Sequence, residues 1–187
     1  MKNALLVTNS EQSAVALSKL LEEEGYEEIT VTYSAYSAEQ QEPEFDLVCI
    51  NAPLADENGI ALATRFADTT RSGVVIIVSK ASSDKVSDML NEKGVLVISK
   101  PINRHLFHHY LLFTDCFRSR LLRVERENDK LKHMVEDLKI IDRAKLLLVT
   151  CLNMSEEQAH RYLEKQAMDL QTSKLAVAKQ VIRTYQN

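Results

Sequence analysis

Metal chemistry has one candidate in this chain. His105-Leu106-Phe107-His108-His109 places His105 and His109 one helical turn apart, a spacing that can bracket a metal ion. No carboxylate or cysteine close in sequence completes a ligand set. The histidines therefore read better as one face of a helix, and no metal or other cofactor is expected. Cys49, Cys116 and Cys151 are far apart and form no C-x-x-C pair, a usage that suits a reducing cytosol. Neither a glycine-rich phosphate loop nor a nucleophile elbow occurs, so an enzyme is not expected. What remains are polar residues at the ends of apolar runs: Asp46, Asn51 and Ser79, positions where α/β proteins build their sites.

The elements that must position these residues fill the first hundred positions. Apolar runs at Ala4–Val7, Ile29–Tyr33, Leu47–Ile50, Val74–Val78 and Val95–Ile98 have the length of buried strands. Between them, Ser13–Glu24 sets Val15, Leu17, Leu20 and Leu21 at helical spacing and stops at Gly25. Gly59–Ala67 and Ser82–Asn91 are helical in the same way. The stretch from Tyr33 to Phe45 is polar and carries Pro43, so any helix there is short. Five strands alternating with helices predict an α/β fold with a five-stranded parallel sheet covered on both faces.

Beyond Asn103 there is no Gly or Pro up to the C-terminal residue. Asn103 is placed to cap a helix from Arg104 to about Leu152, roughly 70 Å at ~1.5 Å per residue. Leu121, Val124, Asn128, Leu131, Val135 and Leu138 alternate in steps of three and four, the a/d pattern of a coiled coil. With Leu121 as a, Asn128 is also an a residue, where asparagine favours a parallel, in-register dimer. Arg120 (g) then faces Glu125 (e) of the partner, and Glu127 (g) faces Lys132 (e), both attractive. One stripe of an intramolecular bundle is the alternative. After it, Ser155-Glu156-Glu157-Gln158 is a capping box opening a helix with Ala159, Leu163, Ala167 and Leu170 on one face. Thr172 or Ser173 caps a last helix with Leu175, Ala178, Ile182 and Tyr185. The expected divisions are 1–102, 103–139 and 140–187, the last a three-helix domain.

Composition bounds the function classes. Of 187 residues, 45% are apolar and 27% charged, the balance of a soluble globular protein, and only 4 Gly and 3 Pro argue against disorder. No apolar run approaches a membrane span, and Met1-Lys2-Asn3 leads straight into Ala-Leu-Leu-Val-Thr rather than into a signal peptide. A cytoplasmic setting with no membrane contact is expected. The net charge of −4 is uneven. Residues 1–102 hold 8 Lys and Arg against 16 Asp and Glu, whereas 103–139 hold 8 against 6 and 140–187 hold 7 against 5. An acidic module is thus joined to a mildly basic one, suited to an anionic partner.

The first hundred residues resemble the receiver domain of bacterial two-component response regulators, a flavodoxin-like fold. The resemblance rests on the turn Thr8-Asn9 after strand one, Asn51 ending strand three, Gly59, Ser79 ending strand four, and Lys100-Pro101 after strand five. In that family an aspartate at the position of Asn51 accepts phosphate, two acids at the positions of Thr8 and Asn9 help to hold Mg²⁺, and the hydroxyl and lysine contact the phosphoryl group. Here Asn51, Thr8 and Asn9 replace those acids, while Ser79 and Lys100 remain. A carboxamide forms no acyl phosphate, and Mg²⁺ wants carboxylate oxygens. Lys100 is therefore expected to bond Asn51 or nearby carbonyls, with phosphorylation of Asp46 or Asp56 the lesser alternative. Pro53, two residues after Asn51, implies a reshaped loop.

The last 47 or so residues resemble the ANTAR module, the RNA-binding domain of AmiR/NasR-type antitermination regulators. The residues that carry this are Ile141-x-x-Ala144-Lys145, Met154-Ser155-Glu156, Gln158-Ala159-His160, Tyr162-Leu163, Gln166-Ala167-Met168-Asp169 and Val177-Ala178-x-x-Val181-Ile182. An arginine common in the family near Gln171 is missing. The resemblance implies a dimer that binds paired hairpins of a leader transcript and prevents a terminator from forming. Lys145, Lys165, Lys174, Lys179 and Arg183 would contact phosphates, and Tyr162 and Gln166, one turn apart, an exposed base. Ala144, Ala167 and Met168 would pack helices or allow close approach of RNA. A sensor protein or small-molecule ligand would replace the phosphate signal. Two other classes remain: a DNA-binding response regulator, which wants a strongly basic recognition helix, and a dimeric adaptor that binds no nucleic acid.

Overall fold

The computed structural model describes residues 2–41 and 44–185. Met1 of the expected opening and Pro43 of the polar segment lie outside the described residues. The chain divides into two compact units, Met1–Arg123 and Val124–Asn187.

In the first unit, β1 (Lys2–Thr8), β2 (Tyr26–Thr32), β3 (Leu47–Asn51), β4 (Gly73–Ser79) and β5 (Leu96–Lys100) form a parallel sheet in the order β2-β1-β3-β4-β5. The helices α1 (Glu11–Glu23), α2 (Ala35–Glu39), α3 (Ile60–Thr69) and α4 (Ser83–Leu90) connect the strands, and α5 (Arg104–Leu152) follows the last of them. Alternate strand residues supply the two covered faces. Leu5, Val7, Val48, Ile50 and Ile76 pack with Leu62, Phe66, Val86 and Leu90. Ala4, Leu6, Cys49 and Ile77 pack with Leu17, Leu21, Phe107 and Leu111. Strand order reverses between β1 and β3, the switch point at which open α/β sheets place their sites.

Some boundaries and faces differ from those the sequence suggests. Ser10 caps α1, its hydroxyl accepting from the Ser13 N–H at 3.4 Å, so the helix starts at Glu11 instead of Ser13. Val15, expected on the apolar stripe, is 72% exposed because Ala14 fills its place beside Leu17 and Leu21. The second strand starts at Tyr26 and not at Ile29, because the Tyr26 ring is fully buried and its hydroxyl donates to Asp115 Oδ1 at 3.2 Å. Tyr33 falls outside that strand and is exposed.

Asn103 caps α5 as expected, with Oδ1 accepting from the N–H groups of His105 (3.0 Å) and Leu106 (3.2 Å). Phe107 and Leu111 anchor this helix in the core, and Thr114 rests on Gly73. A Cβ at Gly73 would lie 2.2 Å from Thr114 Cγ2, so α5 can approach β4 this closely only across a glycine. Further along, Leu121, Val124, Leu131, Val135 and Leu138 are 50–62% exposed, and Asn128 is exposed as well.

In the second unit the end of α5 packs with α6 (Glu156–Asp169) and α7 (Lys174–Tyr185) around Ala144, Leu148, Ala159, Leu163, Val177, Ala178 and Val181. Three alanines in this core let the helices approach closely. Both halves of the capping box form at Ser155 and Gln158. Ser173 rather than Thr172 caps α7, accepting from the Ala176 N–H at 3.1 Å. Leu170 departs from expectation and is exposed, because α6 has ended and the chain turns through Gln171 at φ 50°. On α7, Val177 and Val181 share the buried face with Ala178, and Leu175 is only half-buried. Among the described residues no helix is long and apolar enough to cross a membrane.

Candidate functional site

Parallel register brings the strand-end residues of the first unit together. Thr8 pairs with Asn51 across β1 and β3, and Ser79 with Lys100 across β4 and β5. Asn51 is only 5% exposed, and its Nδ2 donates to the fully buried Thr8 Oγ1 at 3.0 Å. Its Oδ1 is buried with no hydrogen-bond partner. From β5 the Lys100 ammonium reaches across to donate to the Ala52 carbonyl at 2.8 Å, and burial lowers its pKa. The lysine thus takes a nearby carbonyl and not the Asn51 side chain. Asn9 is exposed, and the Ser79 hydroxyl shares a 2.8 Å hydrogen bond with Ser82, a partner that only the short turn after β4 reveals.

A metal-assisted phosphoryl chemistry needs carboxylates here. Mg²⁺ seeks hard, charged oxygens in near-octahedral array, whereas Thr8, Asn9 and Asn51 offer a hydroxyl and two carboxamides. The donor set does not fit. The two acids that could substitute are engaged elsewhere. Asp46 precedes β3, at the opposite end of that strand from Asn51, where its Oδ2 accepts from the Asn3 N–H at 3.0 Å and its Oδ1 pairs with Arg118 at 2.7 Å. Asp56 accepts from the N–H groups of Tyr36 (3.0 Å) and Ala35 (2.8 Å), which hold its carboxyl below the usual range. Among the described residues no group of three or more His, Cys, Asp or Glu side chains could hold a metal ion. Within the old histidine cluster, His108 bonds Glu24 through Nδ1 at 2.5 Å.

In the second unit the cationic candidates divide by whether they are already paired. Lys145 Nζ lies 2.8 Å from Asp142 and 3.4 Å from Glu156, and these contacts, the Asp142 hydrogen bond first, raise its pKa. Lys174 bonds Glu164 at 2.7 Å, which lowers the Glu164 pKa, with His160 at 3.1 Å adding to the effect. Lys165, Lys179 and Arg183 are exposed and have no ion-pair or hydrogen-bond partner among the described residues. Lys179 and Arg183 lie one turn apart on α7. Spacing alone could have suggested the Asp142–Lys145 pair, three apart on one helix. The Lys174–Glu164 contact joins different helices and has no local signature.

The remaining candidates also separate. Ala144 is fully buried in the three-helix core, so it packs helices and offers no contact surface. Tyr162 is half-buried with its ring against that core, Gln166 is half-buried one turn on, and Met168 is 78% exposed.

Comparison with known proteins agrees with both units. The response regulator receiver domain family matches residues 4–111, and the ANTAR domain family matches residues 129–182. A transcriptional regulatory protein of Mycobacterium tuberculosis, PdtaR, is 28% identical over 173 residues, covering 90% of this chain and 83% of that protein. Solved receiver domains share the fold. A CheY-like protein from Methanospirillum hungatei has 20% identity and a TM-score of 0.56, covering 64% of this chain and 98% of its own. The receiver of a putative LuxO repressor from Vibrio parahaemolyticus has 21% identity and a TM-score of 0.58, covering 66% and 97%. With the receiver family matched over more than half of the chain and the ANTAR family matched behind it, this chain belongs to the response regulators of the ANTAR type.

Proposed function

We propose that the protein is a cytoplasmic, RNA-binding antiterminator that acts as a dimer and is not switched by aspartyl phosphorylation. The observation that carries the RNA assignment is a set of side chains on the two last helices. Lys165, Lys179 and Arg183 stand exposed with no acidic partner among the described residues, and Tyr162 and Gln166 lie one turn apart on α6. The three cations supply phosphate contacts. Tyr162 presents the exposed part of its ring to a splayed base, and Gln166 bonds that base's edge. Lys145 and Lys174, held by their own acids, add less. Met168 covers apolar base or ribose surface.

Dimerisation is supported by the uncovered row Leu121, Val124, Leu131, Val135 and Leu138, with Asn128 at a central a position. Two ANTAR ends joined in this way hold two hairpins of one leader transcript, which competes with the terminator hairpin. The receiver pocket supports constitutive RNA binding, or control by a sensor protein or small molecule. Its side chains are a hydroxyl and two amides where the phosphorylation chemistry needs carboxylates. The role is regulatory rather than enzymatic. Separate titration of the protein into a labelled hairpin RNA and into a labelled duplex DNA tests the assignment. Binding of RNA alone is expected, binding of duplex DNA alone would make the protein a DNA-binding regulator, and binding of neither would make it an adaptor.

A further inference from the structure

At the end of the sheet where the strands begin, away from Asn51, the first unit holds a cleft of about 580 Å³. Sites for small ligands span roughly 300–1,000 Å³. Three stretches of chain form its walls: the starts of β1 and β3, the turn between α3 and β4, and α5. Side-chain bonds tie these stretches together. The Asn3 N–H donates to Asp46 Oδ2 at 3.0 Å, and Asn3 Oδ1 accepts from the Asp46 N–H at 2.8 Å. Arg118 reaches from α5 to the other two walls. Its Nε donates to the Arg71 carbonyl at 3.0 Å, and its Nη1 lies 2.7 Å from Asp46 Oδ1. On the turn, the Thr70 hydroxyl donates to the Phe66 carbonyl at 2.7 Å and accepts from the Ser72 N–H at 3.2 Å. The walls are therefore fixed before any ligand arrives, which lowers the cost of binding.

The lining is of mixed sign. Arg71 and Arg118 contribute guanidinium groups, Glu44 and Asp46 carboxylates, and Phe45 and Leu122 apolar surface. Arg118 has five N–H donors, of which the contacts above use two. The other three have no partner among the described residues and suit the paired oxygens of a carboxylate. The Asp46 charge is balanced by Arg118, whereas the Glu44 side chain is exposed with no partner among the described residues and suits an ammonium group. Phe45 and Leu122 are only half-buried and leave room for an apolar body. A phosphate or a dicarboxylate would bring further negative charge against two carboxylates, so the balance favours a ligand that carries both signs.

We propose that this cleft binds a small zwitterion, an apolar α-amino acid or dipeptide. Its carboxylate sits on Arg118, its ammonium group points towards Glu44, and its side chains lie against Phe45 and Leu122. The inference deepens the reading that a small molecule takes the place of the phosphate signal, and its regulatory consequence rests on that reading. Arg118 and Leu122 stand on α5, the helix that runs on into the ANTAR core. A ligand gripped between that helix and the sheet acts on RNA binding to the extent that its affinity differs between the RNA-free and RNA-bound protein.

Isothermal titration calorimetry on the full chain tests this with L-leucine, L-phenylalanine and leucyl-leucine at millimolar concentration. The N-acetyl and amide forms of each, and inorganic phosphate, are the controls. At least one zwitterion is expected to bind, and capping either end of it should weaken binding about tenfold or more, because each cap removes one charge-assisted contact. Arg118→Gln should weaken binding by a similar factor. Since that change also breaks the pair with Asp46, Glu44→Gln is the second variant, which alters no side-chain bond among the described residues and should weaken binding too. Binding of no zwitterion, equal binding of the capped forms, preference for phosphate, or binding that either variant leaves unchanged overturns the inference. A labelled hairpin RNA is then titrated with and without a saturating concentration of the zwitterion that binds. A change in RNA affinity supports control through the cleft, whereas an unchanged affinity overturns that control and leaves the binding site standing.

Discussion

Replacing Lys179 and Arg183 together with alanine should flatten the salt dependence of RNA binding. Both side chains are exposed one turn apart on α7 with no acidic partner among the described residues, and Lys165 on α6 is a third cation of that kind. Each phosphate contact contributes a slope of about −0.7 to −0.9 in log K against log salt, so three give about −2 to −3 per protomer. Between about 50 and 200 mM salt, that slope weakens binding of one hairpin by roughly 20- to 40-fold. With two cations removed, the same change should weaken it only about threefold. Lys145→Gln with Lys174→Gln should flatten the slope by less than half as much, since Asp142, Glu156 and Glu164 already neutralise those ammonium groups in the free protein. The assay is fluorescence anisotropy of one labelled hairpin at a series of salt concentrations. Equal flattening by the two double variants would refute the reasoning that pairing decides which cations meet phosphate.

Three further outcomes follow from single contacts. Gly73→Ala forces a Cβ against Thr114 Cγ2 and should cost about 2 kcal/mol in chemical denaturation, and adding Thr114→Ser should recover much of that loss by removing the methyl. Burial pushes the Cys49 thiol up to about 12, so below that pH it stays protonated and sheltered. A thiol reagent near neutral pH should label Cys116 and Cys151 in the native protein and reach Cys49 only after unfolding. Incubation with acetyl phosphate and Mg²⁺ should add no phosphoryl group by intact mass, and stoichiometric labelling within the pocket would contradict the exclusion argued from Thr8, Asn9 and Asn51.

Much of the architecture was legible because the signals are local. Strand-length apolar runs, the Asn103 cap and the Ser155–Gln158 box each lie within a few residues of chain, and each appears as expected. Structure and sequence part where the decision belongs to distant partners. Val15 and Ala14 compete for one stripe of α1, and only the sheet beneath chooses between them. Leu170 continues a four-residue rhythm on paper, yet the helix ends at Asp169 and the rhythm ends with it. In the candidate site, the substitution of Asn51 could be seen in the sequence, but the course of Lys100 to the Ala52 carbonyl required the crossing from β5 to the end of β3. The pairing of Lys174 with Glu164 was hidden for the same reason. Neither position marks the other until α6 and α7 are packed.

The central claim is that the protein works by holding two RNA elements at once, and the most direct test compares one hairpin with two. Purified full-length protein, with no phosphodonor present, is titrated into a leader RNA carrying tandem hairpins and into each hairpin alone, and binding is read by electrophoretic mobility. Because the second contact forms at the high effective concentration set by the dimer and the RNA linker, the tandem RNA should bind about a hundredfold or more tighter than either single hairpin. Equal affinity for the single and tandem RNAs, or no binding to either, would contradict the account.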